Sequence, residues 1–232
     1  MKHISIILAV VCIVFFAILS KYEDRPGMRN LDFAVTVKVQ ESIDKSSHLR
    51  VSAVVENVLE GATFFAAPEW TLAVSLLMTV LLVYDFRKKR WNLRGLVVPV
   101  LLVGIVIAEV YGKTVVHHPS PPFAMIKHPT TLFPADYIND QFSFPSGHAA
   151  RAVFIAGIVY GGAWLSGRFG SLRRSVLLSL ILLAYVGVVC VSRIYLGHHW
   201  FSDVVGGVLL GSGCVGLMLY WLTGAKSSGV GQ

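Results

Sequence analysis

Six apolar runs divide this chain of 232 residues, at 4–20, 63–86, 96–112, 149–165, 176–191 and 204–223. About 20 apolar residues in a helix span the hydrocarbon core of a bilayer, so each run, with its flanks, is long enough to cross one. In lipid, every backbone polar group must find its partner within the protein, which restricts such runs to helices. The expected fold is therefore all-α, a six-transmembrane helix bundle in a single domain over 1–232. Composition agrees, with 55% hydrophobic and 14% charged residues, against about 25% charged in soluble domains. The first run follows Met1-Lys2-His3, as a signal peptide would. No small-x-small cleavage site precedes Lys21-Tyr22-Glu23-Asp24, so an uncleaved helix is expected. The Gly/Ser-rich tail 225–232 is expected to be disordered.

The formal net charge of +7 is concentrated in two clusters. Arg87, Lys88, Lys89, Arg90 and Arg94 form one, and Arg168, Arg173 and Arg174 the other. Both lie in short gaps between apolar runs, where the positive-inside rule accounts for them better than a nucleic-acid surface does. Those gaps then face the cytoplasm, as do both termini, and segments 21–62, 113–148 and 192–203 face the opposite side. Segment 21–62 reads as short amphipathic helices lying on the membrane surface, with no catalytic set in it. Cys12, Cys190 and Cys214 sit inside apolar runs, without metal-ligand spacing, and read as small buried residues. Gly207 and Gly211, in G-x-x-x-G spacing, predict close helix packing.

The residues able to do chemistry gather on the non-cytoplasmic side: Lys113, His117, His118, Lys127, His128, Ser146, His148, Arg151, Arg193, His198, His199 and Asp203. The chain leaves this side after His148, turns at 166–175 and returns at Ser192, so a helical hairpin brings two distant groups together. Pro145-Ser146 predicts a helix start with Ser146 as N-cap. A helix N-terminus attracts anions, Gly147 would let a phosphate approach the backbone, and His148 could donate a proton to a leaving group. An ordinary capped helix start with an interfacial histidine is the alternative. His199 and Asp203 are four residues apart and would share a helical face, so the carboxylate fixes one ring nitrogen and leaves the other free to attack. His198 has only Ser202 at that spacing, which favours His199 as the nucleophile. Arg193 offers a bidentate fork for phosphate. The chemical alternative is metal ligation by the two histidines, but adjacent residues point apart on a helix. Glu109 stands four before Lys113 and is expected to pair with it. The long loop 114–144 is a candidate lid or substrate-selecting loop.

Pro145-Ser146-Gly147-His148 and Ser192-Arg193-x5-His199-x3-Asp203 resemble the second and third signature motifs of the type 2 phosphatidic acid phosphatase (PAP2) superfamily. The resemblance spans nearly the whole chain. It implies a PAP2-type bundle in the cell (inner) membrane with an extracytoplasmic active site and a lipid phosphate as substrate. It further implies that His199 forms a phosphohistidine, Asp203 orients it, and His148 protonates the leaving oxygen. Lys113, Ser146, Gly147 and Arg193 would hold the phosphate, and no metal or other cofactor would be used. The first motif departs from the pattern. The family has lysine, six residues, then arginine and proline; here Lys113 leads to Ser120-Pro121. Cationic clamps on the equatorial oxygens carry much of phosphoryl-transfer catalysis, so Arg151 or His118 is expected to take part of the missing role. Two other functions use the same residues: transfer of the phosphoryl group to an alcohol, and non-catalytic binding of a lipid phosphate.

Overall fold

The computed structural model describes residues 2–45, 49–85, 90–127, 141–167 and 170–224. The tail 225–232 and the arginine and lysine residues at 87–89 and 168 lie outside them, as do His128 and the rest of 128–140 in the loop expected to be a lid. Among the described residues, eight α-helices follow one another: α1 Lys2–Tyr22, α2 Pro26–Lys45, α3 Leu49–Phe64, α4 Pro68–Val83, α5 Val97–Val115, α6 Gly147–Leu165, α7 Leu172–Tyr195 and α8 Phe201–Thr223. Tyr84 and Asp85 pair with Trp91 and Arg90 as a short antiparallel ribbon.

Helices α1, α5 (with the 3-10 turn before it), α6, α7 and α8 are each long and apolar enough to cross a membrane. The sixth expected span, 63–86, is not one helix. The chain breaks between Phe64 and Pro68, and the flanking helices meet at 55°. Proline explains the break. Pro68 lacks the N–H that would continue α3, and it forces Ala67 into an extended conformation (ψ 153°) while starting α4 at N1. Counted as one bent span, the pair brings the total to six.

Helices α6 and α8 form the centre. A side chain on Gly207 would stand 2.3 Å from the Ser146 carbonyl, and one on Gly211 2.5 Å from that of Ala150, so bare backbone is what lets the two helices touch. On its other side α8 lies along α1. Val98, Leu102 and Ile105 of α5, Phe154 and Ile158 of α6 and Met218 and Leu222 of α8 make the main buried cluster. Around it, large apolar side chains point outward, among them Ile7, Val14 and Ile18 of α1 and Leu180, Ile181 and Leu183 of α7. Such continuous outward apolar faces suit lipid and not water.

Candidate active site

At one end of the bundle the starts of α6 and α8 and the ends of α5 and α7 bury polar side chains together. Ser146 is the N-cap of α6, its hydroxyl accepting from the Ala149 N–H at 3.4 Å. The Ser146 N–H donates to the Asp203 carbonyl at 2.9 Å, tying the two helix starts to each other. His148 follows, within electrostatic reach of Arg193, Arg151, His199 and Lys113. The residues separated by a helical hairpin in the sequence therefore do meet.

His199 does not share a helix with Asp203. The chain leaves α7 at Tyr195, turns through Gly197 (φ 72°), and α8 begins only at Phe201. Asp203 is in the first turn of α8, where its Oδ2 accepts the Trp200 N–H at 2.8 Å. A carboxylate there meets both the free N–H groups and the positive end of the helix dipole. His199 Nδ1 faces the same oxygen at 3.6 Å, beyond direct hydrogen bonding. Among the described residues no hydrogen-bond partner stands on this buried nitrogen. Burial holds the His199 ring below the ordinary histidine range; Asp203 pulls the other way, and the charges of Arg193 and Lys113 add to the depression. The shift favours the neutral form of the ring, the form in which an imidazole has a free lone pair.

The direct hydrogen bond of Asp203 goes to a different histidine. His118 Nδ1 lies 2.9 Å from Asp203 Oδ1, and both side chains are buried. His118 Nε2 is 3.9 Å from Asp32 Oδ2. Asp32, on α2, accepts from the Ser202 N–H at 2.7 Å and from the Ser202 hydroxyl at 2.8 Å. Ser202 therefore serves Asp32 and not His198. His198 Nδ1 instead lies 2.5 Å from Arg193 Nη2, while the buried Arg193 Nε has no partner among the described residues. Asp32 stands in a segment whose composition reads as a surface helix, so its sequence context does not mark it. The only signal was Asp32, Thr36 and Gln40 at four-residue spacing, a polar stripe of which the first two are fully buried.

Glu109 joins the remaining cations. Its Oε2 is 2.5 Å from Arg151 Nη1 and its Oε1 3.4 Å from Lys113 Nζ, all three side chains being buried. Arg151 Nε also donates to the Ala66 carbonyl at 3.0 Å, and its Nη2 is 3.5 Å from His148 Nδ1. Gly147 touches this group directly: a Cβ there would lie 2.0 Å from Glu109 Oε1. Ser120, in the place of the expected arginine, donates its N–H to the Gln141 carbonyl at 3.1 Å, so the two ends of the long loop close on each other. Trp200 Nε1 donates to the Pro119 carbonyl at 2.7 Å and holds that loop over the start of α8. Lys127 pairs with Asp44 at 2.6 Å, away from the buried cluster.

This geometry can be set beside known proteins. The family model of the PAP2 superfamily matches residues 92–227, more than half the chain, which include every residue of the cluster except Asp32. The chain is similar to phosphatidylglycerophosphatase B of Bacillus subtilis (strain 168), 26% identical over 183 residues that cover 78% of this chain and 80% of the relative. Its fold matches a crystal structure of the first transmembrane PAP2-type phosphatidylglycerolphosphate phosphatase from Bacillus subtilis, with a TM-score of 0.69 at 20% identity over 97% of this chain and 98% of that one. It also matches the crystal structure of Aquifex aeolicus LpxE, with a TM-score of 0.52 at 20% identity over 79% and 93% of the two chains. Extensive matches to transmembrane relatives, together with the outward apolar helices, make this an integral membrane protein. By the extent of the family match and the folding of the whole chain, the protein belongs to the PAP2 superfamily.

Proposed function

We propose that the protein hydrolyses a phosphate monoester or diphosphate on a lipid, through a phosphohistidine at His199. The observation that carries this reading is the convergence on one buried site of a histidine beside a carboxylate (His199, Asp203), a second histidine (His148) and buried cations (Lys113, Arg193, Arg151). In the first step a ring nitrogen of His199 attacks phosphorus and the bond to the leaving oxygen breaks. His148 gives that oxygen a proton. In the second step water attacks the phosphohistidine, His148 takes its proton, and inorganic phosphate leaves with His199 restored. Asp203 stabilises the positive ring that forms in the first step.

The phosphate is held at the N-terminus of α6, by Ser146, Gly147 and the adjoining backbone, and by Lys113 and Arg193. The unpartnered Nε of Arg193 supports this role, since a phosphate oxygen supplies the acceptor that a buried donor requires. Arg151 contributes part of the positive charge lost at Ser120, through its place beside His148 and Glu109. These cations supply the charge stabilisation that a metal gives elsewhere, and the reaction runs without one. The basic clusters orient the site to the extracytoplasmic side of the cell membrane, where a headgroup reaches the site while its chains stay in the bilayer. The name of the Bacillus subtilis relative points to a glycerophospholipid phosphate among possible substrates.

The test is phosphate release by the purified protein from a panel of phosphatidate, phosphatidylglycerol phosphate and polyprenyl diphosphate, with and without EDTA. Turnover is expected to survive EDTA and to vanish in His199→Ala. Activity retained by His199→Ala would overturn the mechanism, and loss with EDTA would overturn metal independence. A phosphorylated alcohol in place of free phosphate would identify a transferase.

A further inference from the structure

Asp203 is the residue through which the proposed nucleophile is oriented, and it is held from the side opposite His199. Its Oδ1 takes the 2.9 Å hydrogen bond from His118, whose ring lies between Asp203 and the carboxylate of Asp32. All three side chains are at least 98% buried. Two carboxylates this deep, without a partner, would each carry a desolvation cost of several kcal/mol. His118 is the group between them, and Asp32 is further held by both donors of Ser202. Ser202 precedes Asp203, so the same carboxylate that faces His118 also ties down the first turn of α8.

We propose that His118 and Asp32 are positioning residues for the reaction. His118 fixes the Asp203 carboxylate in the orientation that faces His199, and Asp32 fixes both His118 and the start of α8. The relay runs Asp32, His118, Asp203, His199, and its first member comes from α2, outside the stretch matched by the family model. This rests on the reading of His199 as nucleophile. It also gives His118 a role other than holding phosphate, since its Nδ1 is already engaged by Asp203.

Charge supports the arrangement. Burial opposes a charged His118 ring, but the Asp203 hydrogen bond and the carboxylates of Asp203, Asp32 and Glu23 outweigh it and hold the ring above the ordinary histidine range. The ring hydrogen-bonds Asp203 through Nδ1, and its Nε2 faces the Asp32 carboxylate at 3.9 Å, a charge contact beyond hydrogen-bond range.

The experiment compares kcat and KM for dioleoyl phosphatidate in Triton micelles, and inhibition by inorganic phosphate, across His118→Ala, His118→Asn, His118→Gln, Asp32→Asn and His199→Ala. Loss of positioning is expected to cost about 10- to 100-fold in kcat for His118→Ala, with KM and phosphate inhibition within about twofold of wild type. Asparagine places an N–H close to where Nδ1 stands, so His118→Asn is expected to recover part of kcat, and glutamine, whose amide extends toward Asp32, is not. Asp32→Asn is expected to lower kcat in the same sense by a smaller factor. Melting temperature in detergent accompanies each variant, and His118→Asn and Asp32→Asn carry the test where the alanine variant does not fold. Wild-type kcat in both His118→Asn and Asp32→Asn with His118→Gln equal to them overturns the inference. So does a loss confined to KM or to phosphate inhibition, which would make His118 a phosphate ligand. Activity in His199→Ala would instead strike the mechanism itself, so the two failures are distinguishable.

Discussion

Glu109 and Arg151, 42 residues apart, meet with Oε2 at 2.5 Å from Nη1 in a pocket that leaves each side chain only 5–6% exposed. The pair places the α5 end against the α6 start and fixes Lys113 on its other oxygen. Breaking a buried pair by removing one partner leaves an uncompensated charge and costs about 3–5 kcal/mol. Arg151→Ala is therefore expected to lower stability in detergent by that order and to reduce turnover. Glu109→Ala/Arg151→Ala together should recover part of the stability without recovering turnover. Thermal or denaturant unfolding beside a phosphate-release assay measures both; wild-type turnover in Arg151→Ala would remove Arg151 from the phosphate cradle.

Gly147→Ala brings a methyl group to within 2.0 Å of Glu109 Oε1, on a carboxylate held by two cations, Lys113 at Oε1 and Arg151 at Oε2. The carboxylate can yield only by giving up Arg151 or Lys113. The expected result is a destabilisation of about 1–3 kcal/mol, the usual range for overpacking, together with lost turnover. Differential scanning fluorimetry and the activity assay report it.

Burial holds the His199 ring below the ordinary histidine range. The acidic limb of kcat/KM is expected below the ordinary histidine value of about 6.5. Asp203 raises the ring's affinity for a proton, so Asp203→Asn should move that limb to still lower pH while lowering kcat by about 10²- to 10⁴-fold. A pH–rate profile, with the substrate's own ionisation followed by phosphorus NMR, checks the direction. A limb that moves upward in Asp203→Asn would contradict the contact.

His118 gives a prediction of opposite sign. Its folded value is raised by the Asp203 hydrogen bond and by the Asp203, Asp32 and Glu23 charges acting against burial. Stability from this group is full below the unfolded value of about 6.5 and is lost as pH rises through the raised folded value. Wild type is expected to lose melting temperature as pH rises above the ordinary histidine value of about 6.5, and His118→Asn to lose less over the same rise. Circular dichroism in detergent at stepped pH measures the difference.

Much of the fold was legible in the apolar runs, because a bilayer admits helices and little else, and run length alone locates them. The exception at 63–86 was legible in principle. Pro68 sits inside that run and breaks it. The candidate site was legible where residues keep fixed spacing along one stretch, as in Ser146 to His148 and Arg193 to Asp203. It was not legible where a partner comes from a distant element. Nothing in the spacing of residues 109 to 203 indicates that Asp203 accepts its direct hydrogen bond from His118. Nothing indicates that the capped start of α8 leaves His199 outside the helix.

The sequence by itself determined the helices, their apolar outward faces and the identities of the cations and histidines at one end, since these follow from local composition and from the cost of exposing backbone to lipid. Only the tertiary structure decided which groups pair. Buried charges must each find a partner, and the partners, Asp32 for His118 and Ser202, His118 for Asp203, Glu109 for Arg151, come from whichever helix the packing of α2, α5, α6 and α8 carries there.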